Sequence, residues 1–187
     1  MRRRSPDRST VLTSRLVYTG RVFRVRSDRV RFPEGGVSTL DIVDHGGAVV
    51  IIPRLDPDRL VMIRQYRYAA GTDLLEFPAG TLEPGEDPLD CAQRELREET
   101  GYAAGRLEKL GGFFLAPGYS TEYLHIYLAG DLVESPLPKD EDEQLDVEVR
   151  TLSEIQDAAR SGELQDAKSL AALYLLYPAC PGQTNML

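Results

Sequence analysis

The chain has 187 residues, of which 42% are apolar and 28% charged, and it carries a formal charge of −8. A chain of this size buries a proper core, either as one domain or as a main domain with a small accessory unit. Its acidic balance opposes general affinity for nucleic acid or anionic membrane, and it has no run of about 18 apolar residues to span a bilayer.

The start, "MRRRSPDRST", has no apolar segment behind its arginines, so a secretory leader is not expected and a cytoplasmic protein is. Cys91 and Cys180 are too few and too far apart for a metal knuckle or a disulfide framework. The charge is uneven: residues 1–31 hold ten arginines against Asp7 and Asp28, net +8, leaving −16 for the rest. A nucleic-acid arm is one reading; a frayed tail and a hairpin with a wet arginine face is the preferred one.

Along the chain, "RVFRVRSDRVRF" (21–32) alternates like a half-buried strand pair turning near Ser27-Asp28, and Pro33 to Gly36 is a turn before a third strand, "STLDIV". The continuous apolar run "AVVIIP" (48–53) predicts a strand buried on both faces. "DPDR" then turns the chain and "LVMIRQYRY" (60–68) returns as its partner. "LLEFPAG" (74–80) is a short strand broken by Pro78 and Gly80; "GGFFLAPGYSTE" (111–122) reads mostly as loop, and "YLHIYLAGDLV" (123–133) as an alternating strand. An acidic loop, "PLPKDEDEQLD", leads into another strand. Ser153 with Gln156 predicts a capping box opening a helix that Gly162 ends, and Asp166 caps a last helix stopped by Pro178.

The segment 80–102 carries the chemistry. Asp87-Pro88 is a helix start and Thr100-Gly101 a helix stop, so 88–100 is predicted helical. Leu89, Ala92 and Leu96 then face the core, while Glu95, Glu98 and Glu99 cluster on another side. Three carboxylates on one patch repel each other unless a cation lies between them. All-oxygen ligands, with neither His nor Cys among them, indicate Mg²⁺ or Mn²⁺. A solvated acidic face is the bland alternative. The spacing of Gly80, Glu86, Arg94, Glu95, Leu96, Glu98, Glu99, Gly101 and Tyr102 decides against it, because the seven fixed letters among them arise by chance roughly once in 10⁸ starts.

This pattern is the complete Nudix box, and the chain resembles the Nudix hydrolases over about residues 46–177. The resemblance implies an α/β/α sandwich around a mixed sheet, with residues 1–45 as a tail and a small antiparallel β-unit used for dimerisation, and 46–187 as the hydrolase domain. It implies Glu95 and Glu99 as metal ligands and Glu98 as a ligand or its close support in catalysis. The Ala79 carbonyl would complete a metal site. Gly80 allows the turn, and Arg94 and Glu86 brace the helix. A finer resemblance to the ADP-ribose pyrophosphatase branch rests on "RQYRY" (64–68), "LEFPAG" (75–80) and "APGYSTE" (116–122), with Pro117 sixteen positions beyond Gly101. It implies substrate contacts from Arg64 or Arg67, with Arg67 favoured, and from Pro117, Gly118 and Glu122. Glu141 would be the base and Glu143 a further ligand, with Asp140 and Asp142 as alternates. His125 receives no role.

The expected activity is Mg-dependent hydrolysis of ADP-ribose to AMP and ribose 5-phosphate by a homodimer. The alternatives are a GDP-mannose or other nucleotide-sugar diphosphatase and a non-catalytic ADP-ribose sensor; the intact box disfavours the sensor.

Overall fold

The computed structural model describes residues 9–138 and 144–176. The chain divides into two compact units, Met1–Gly46 with Phe114–Glu122, and Gly47–Phe113 with Tyr123–Leu187.

The first unit is an antiparallel sheet of β1 (Thr10–Thr19), β2 (Phe23–Arg31) and β3 (Val37–His45), in that order. The expected turn at Ser27-Asp28 is absent, since β2 runs straight through it and the reversal lies at Gly20, whose N–H donates to the Phe23 carbonyl at 3.0 Å. Asp28 is polar for a different reason. It is buried within the sheet, where its carboxylate accepts from the Ser14 hydroxyl at 2.6 Å and pairs with Arg26. Residues 114–122 attach to β3: the Val43 N–H donates to Tyr119 O at 2.8 Å and the Thr121 N–H to Val43 O at 2.9 Å. Most side chains of β1 are exposed, including Leu16, Val17 and Tyr18.

The second unit is built on a mixed sheet in which β7 (Ala79–Thr81), β4 (Ala48–Pro53), β9 (Tyr123–Glu134) and β8 (Tyr102–Phe114) lie in that order. β4 runs parallel to β9 and antiparallel to β7. Every residue of β4 is buried, as a strand covered on both faces requires. Val49 and Ile51 pack with Cys91, Ala92 and Leu96 of α1 (Pro88–Thr100). Ala48, Val50 and Ile52 face the larger core, shared with α2 (Leu152–Ser161) and α3 (Ala167–Leu176). Helices thus cover both faces. Each fully buried Val or Ile here contributes about 1.5–3 kcal/mol relative to exposure.

β5 (Arg59–Arg67) is not the ladder partner of β4. Both edges of β4 are taken by β7 and β9, and β5 forms a second antiparallel sheet, β10-β5-β6, with β6 (Thr72–Glu76) and β10 (Leu145–Thr151). Pro78 divides "LLEFPAG" so that β6 joins this second sheet and β7 the first. β8 (Tyr102–Phe114) extends through Gly111-Gly112, where a loop was expected. These glycines mark close approach, because a Cβ on Gly112 would collide with the Leu124 backbone and the Tyr123 ring. The capping box of α2 is Thr151 with Glu154 rather than Ser153 with Gln156: the Thr151 hydroxyl accepts from Glu154 N, and the Glu154 carboxylate accepts from Thr151 N at 2.7 Å. Gly162 ends α2 in the left-handed region, and the Asp166 carboxylate accepts from Ser169 N at 2.9 Å to open α3. No described helix is long and apolar enough to cross a membrane.

Candidate active site

The site grows from α1. Asp87 caps the helix by accepting from Leu89 N at 2.8 Å, Pro88 starts it, and Gly101 closes it with φ 79° and an N–H donated to Arg97 O. Its buried stripe is Cys91, Ala92, Glu95, Leu96, Glu99 and Thr100. Leu89, expected in the core, is 44% exposed because it stands in the first turn, one turn ahead of the packed stripe.

Two of the three clustered glutamates are therefore not surface residues. Glu95 is 8% exposed and Glu99 only 1%, and strand β7 lies against both. The Ala79 N–H donates to Glu99 Oε2 at 2.9 Å, and a Cβ added to Gly80 would overlap Cγ, Cδ and Oε1 of Glu95. Only glycine leaves room for that carboxylate. Ionised carboxylates are costly to bury, so their placement has to be compensated by donors or cations.

Arg94 supplies part of that compensation. Its Nη1 donates to Glu95 at 2.7 Å and to Glu98 at 2.9 Å, while Nε and Nη2 hold Glu86 at 2.9 and 3.0 Å. The fork ties three carboxylates from two segments into one array. The Arg94 hydrogen bonds bring the Glu86 carboxyl down to about 2, helped by an amide from Glu83.

Among the described residues, no group of three or more His, Cys, Asp and Glu side chains is gathered to hold a metal ion. Glu95 and Glu98 converge on Arg94 instead, and Glu99 binds the Ala79 amide. The donor chemistry nevertheless fits a hard divalent cation, with all-oxygen groups, two of them more than nine-tenths buried, on one helix edge. Glu141 and Glu143, with the alternates Asp140 and Asp142, lie outside the described residues.

The expected substrate residues divide into three places. Arg67 grips Glu76 with Nε at 2.8 Å and Nη2 at 2.6 Å, and the charges of Glu99 and Asp166 also act on it. Arg64 donates to Glu148 at 2.6 Å and Glu163 at 2.9 Å, in a network that also holds Arg150. Pro117, Gly118 and Glu122 belong to the first unit, in the segment attached to β3. His125 accepts a hydrogen bond from Lys109 at 2.9 Å, and burial together with that neighbouring charge lowers its pKa.

Sequence reasoning missed the other partner of Glu76. Glu76 is 1% exposed, and Lys168 of α3 also binds its carboxylate. Burial pushes the Glu76 carboxyl up, but Arg67 and Lys168 outweigh it and hold the group below its ordinary value. No local pattern signals this pair, because 92 positions separate the two residues.

The NUDIX domain model matches residues 44–173, a span that contains both the carboxylate helix and the strands that support it. The chain belongs to the NUDIX hydrolase family. An ADP-ribose pyrophosphatase of Bacillus subtilis is 37% identical over 162 residues, covering 86% of this chain and 88% of the relative. A methanol dehydrogenase activator of Bacillus methanolicus is 37% identical over 172 residues, covering 91% and 92%. A GDP-mannose pyrophosphatase of Salmonella arizonae is 30% identical over 148 residues, covering 73% and 76%. The crystal structure of an ADP compounds hydrolase superposes with a TM-score of 0.84 at 29% identity, covering 98% of this chain and 100% of that one. Nudix hydrolases generally need a divalent metal, which agrees with the carboxylate edge of α1.

Proposed function

We propose that this NUDIX hydrolase is a Mg²⁺-dependent pyrophosphatase that splits ADP-ribose into AMP and ribose 5-phosphate. One observation carries the reading: Glu95 and Glu99 are buried against β7, Glu95 in a place that Gly80 leaves open and Glu99 on the Ala79 amide, with Arg94 fixing Glu95 and Glu98. A surface helix has no reason to bury two acids, whereas a cation site does. The Bacillus subtilis relative named for ADP-ribose, 37% identical, supports the substrate.

Glu95, Glu98 and Glu99 would hold the cation with the Ala79 carbonyl, and Glu143 would complete the donor set. When bound, a divalent cation neutralises the diphosphate and makes a coordinated water more acidic. Arg94 keeps Glu95 and Glu98 on the same edge of α1. Glu141 takes the proton of the attacking water. Arg67, with its planar fork, holds a phosphate oxygen, with Arg64 as the alternate, and Pro117, Gly118 and Glu122 touch the ribose side. The same chemistry cleaves GDP-mannose, and the relatives named for that compound make it the second reading.

We further assign the protein to the cytoplasm, as a homodimer joined through β1–β3. Among the described residues of that sheet Val30, at 5% exposure, is the one fully buried hydrophobic side chain, while Leu16, Val17 and Tyr18 are each more than half exposed. A sheet with so little core of its own is stabilised by a second layer.

The test is product chromatography after incubating the protein and its Glu99→Gln variant with Mg²⁺ and, separately, ADP-ribose, GDP-mannose and NADH. AMP released fastest from ADP-ribose, and at least about 10²-fold more slowly by the variant, is the expected result. A faster reaction with another compound discards the substrate and keeps the chemistry. Full turnover by Glu99→Gln discards the metal edge.

A further inference from the structure

We infer that Lys168, a residue of α3 far from the carboxylate helix in sequence, is a positioning residue for phosphate capture, acting through Glu76 on Arg67. The inference rests on the reading above that Arg67 contacts the substrate.

An arginine locked fork-to-fork on a buried carboxylate is a poor phosphate ligand, because its charge is already matched and its donors are taken. Arg67 and Glu76 alone would form such a pair. Lys168 changes the balance: it binds the same Glu76 Oε2 that accepts from Arg67 Nη2, so that oxygen is shared between two cations. Arg67 then keeps part of its positive field. It also keeps donors, since among the described residues its Nη1 makes no hydrogen bond. The exposures agree with this division of labour. The Lys168 side chain is 15% exposed and Glu76 1%, while Arg67 is 37% exposed.

Lys168 is itself held in place. Its Nζ lies 3.0 Å from Asp166 Oδ2, and Asp166 accepts from the N–H and hydroxyl of Ser169 at 2.9 and 2.6 Å. The Ser169 hydroxyl in turn accepts from Phe77 N at 2.8 Å, next to Glu76. The start of α3 is thereby fastened to the end of β6, and Lys168 has one place to put its charge. Asp166 offsets some of that charge, and Glu99 acts electrostatically on Arg67.

The experiment measures kcat and KM for ADP-ribose and GDP-mannose with Mg²⁺, the Kd of a methylene-bridged ADP-ribose analogue, and the urea midpoint. It compares the unaltered chain with Arg67→Ala, Lys168→Met, Lys168→Arg and the double variant Arg67→Ala/Lys168→Met. Arg67→Ala is expected to raise KM and Kd about tenfold or more. Lys168→Met should raise both about three- to tenfold with kcat within about twofold, Lys168→Arg should restore them, and the double variant should be no worse than Arg67→Ala. If Lys168→Met does not fold, Lys168→Gln, which donates to Glu76 without charge, carries the same comparison. Unchanged KM in Lys168→Met while Arg67→Ala weakens binding overturns this inference alone, as does full additivity in the double variant. Unchanged KM in Arg67→Ala overturns the underlying reading of Arg67. No cleavage of either compound by the unaltered chain overturns both.

Discussion

Replacing Gly80 by alanine separates the placement of Glu95 from the stability of the fold. Gly80 is not among the residues with positive φ, so its backbone conformation is open to alanine, and reducing unfolded-chain freedom favours the folded state by about 0.4–1 kcal/mol. Against this, the new Cβ would overlap Cγ, Cδ and Oε1 of Glu95. The obstructing atoms are the far end of a flexible side chain, so Glu95 yields rather than β7, at a cost of about 1 kcal/mol for an off-rotamer conformation. The two effects nearly cancel in stability. They do not cancel at the site, where a carboxylate displaced by about 1 Å lowers the rate about 10²-fold. Urea unfolding and kcat/KM on the same preparation test this. A Gly80→Ala protein with near-normal stability and activity reduced about 10²-fold is expected. Activity retained within about threefold would show that the position of Glu95 does not matter, and loss of the fold would show that β7, not the side chain, gave way.

Three further perturbations probe the Glu86 ion pair, the α2 cap and the β1 face. Because the Glu86 carboxyl is lowered from 4.5 to about 2, its ion pair stabilises the fold fully above about pH 4.5, and that contribution is lost as the pH falls toward 2. Glu86→Gln should therefore be less stable than the unaltered chain at pH 6, with the gap closing at pH 2 to 3; urea midpoints at an acidic and a neutral pH measure it, and a constant gap contradicts the pairing. Thr151→Ala removes the side chain that accepts from Glu154 N and should lower stability by about 1 kcal/mol with KM unaltered, as urea melts and initial rates will report. Leu16→Glu on the exposed strand β1 should shift sedimentation equilibrium from dimer to monomer, and an unchanged mass would remove β1 from the interface.

Where local chemistry decides the structure, the sequence was legible. The bounds of α1 follow from Asp87-Pro88 and Thr100-Gly101, since caps are side-chain and backbone bonds within one turn, and the observed helix is Pro88–Thr100. The run at 48–53 is a fully buried strand for the reason its composition suggests. Errors appear where a partner distant in sequence sets the outcome. Asp28 looked like a turn residue until Ser14 and Arg26 were seen to bury its carboxylate. Two overlapping capping patterns stood two residues apart at α2, and β10, which ends at Thr151 in register with Arg59, selects the earlier one. In the site, the order of glutamates could be read directly, but not that Ala79 and Gly80 would pack on Glu99 and Glu95. The Lys168–Glu76 contact had no sequence signature at all.

Cys91, on the buried stripe of α1, can serve as a reporter. Its thiol is buried, and burial together with the charges of Glu86 and Glu95 pushes its pKa upward, so the reactive thiolate is suppressed twice over. Alkylating reagents can therefore reach it only when the helix lifts from the sheet. With Cys180 replaced by serine, the rate of labelling becomes a clock for opening of this one helix. If a divalent cation and a diphosphate grip Glu95 and Glu99, one and two turns further along the same helix, they should slow that clock in proportion to their binding, so occupancy can be followed by mass spectrometry in a protein that is not turning over.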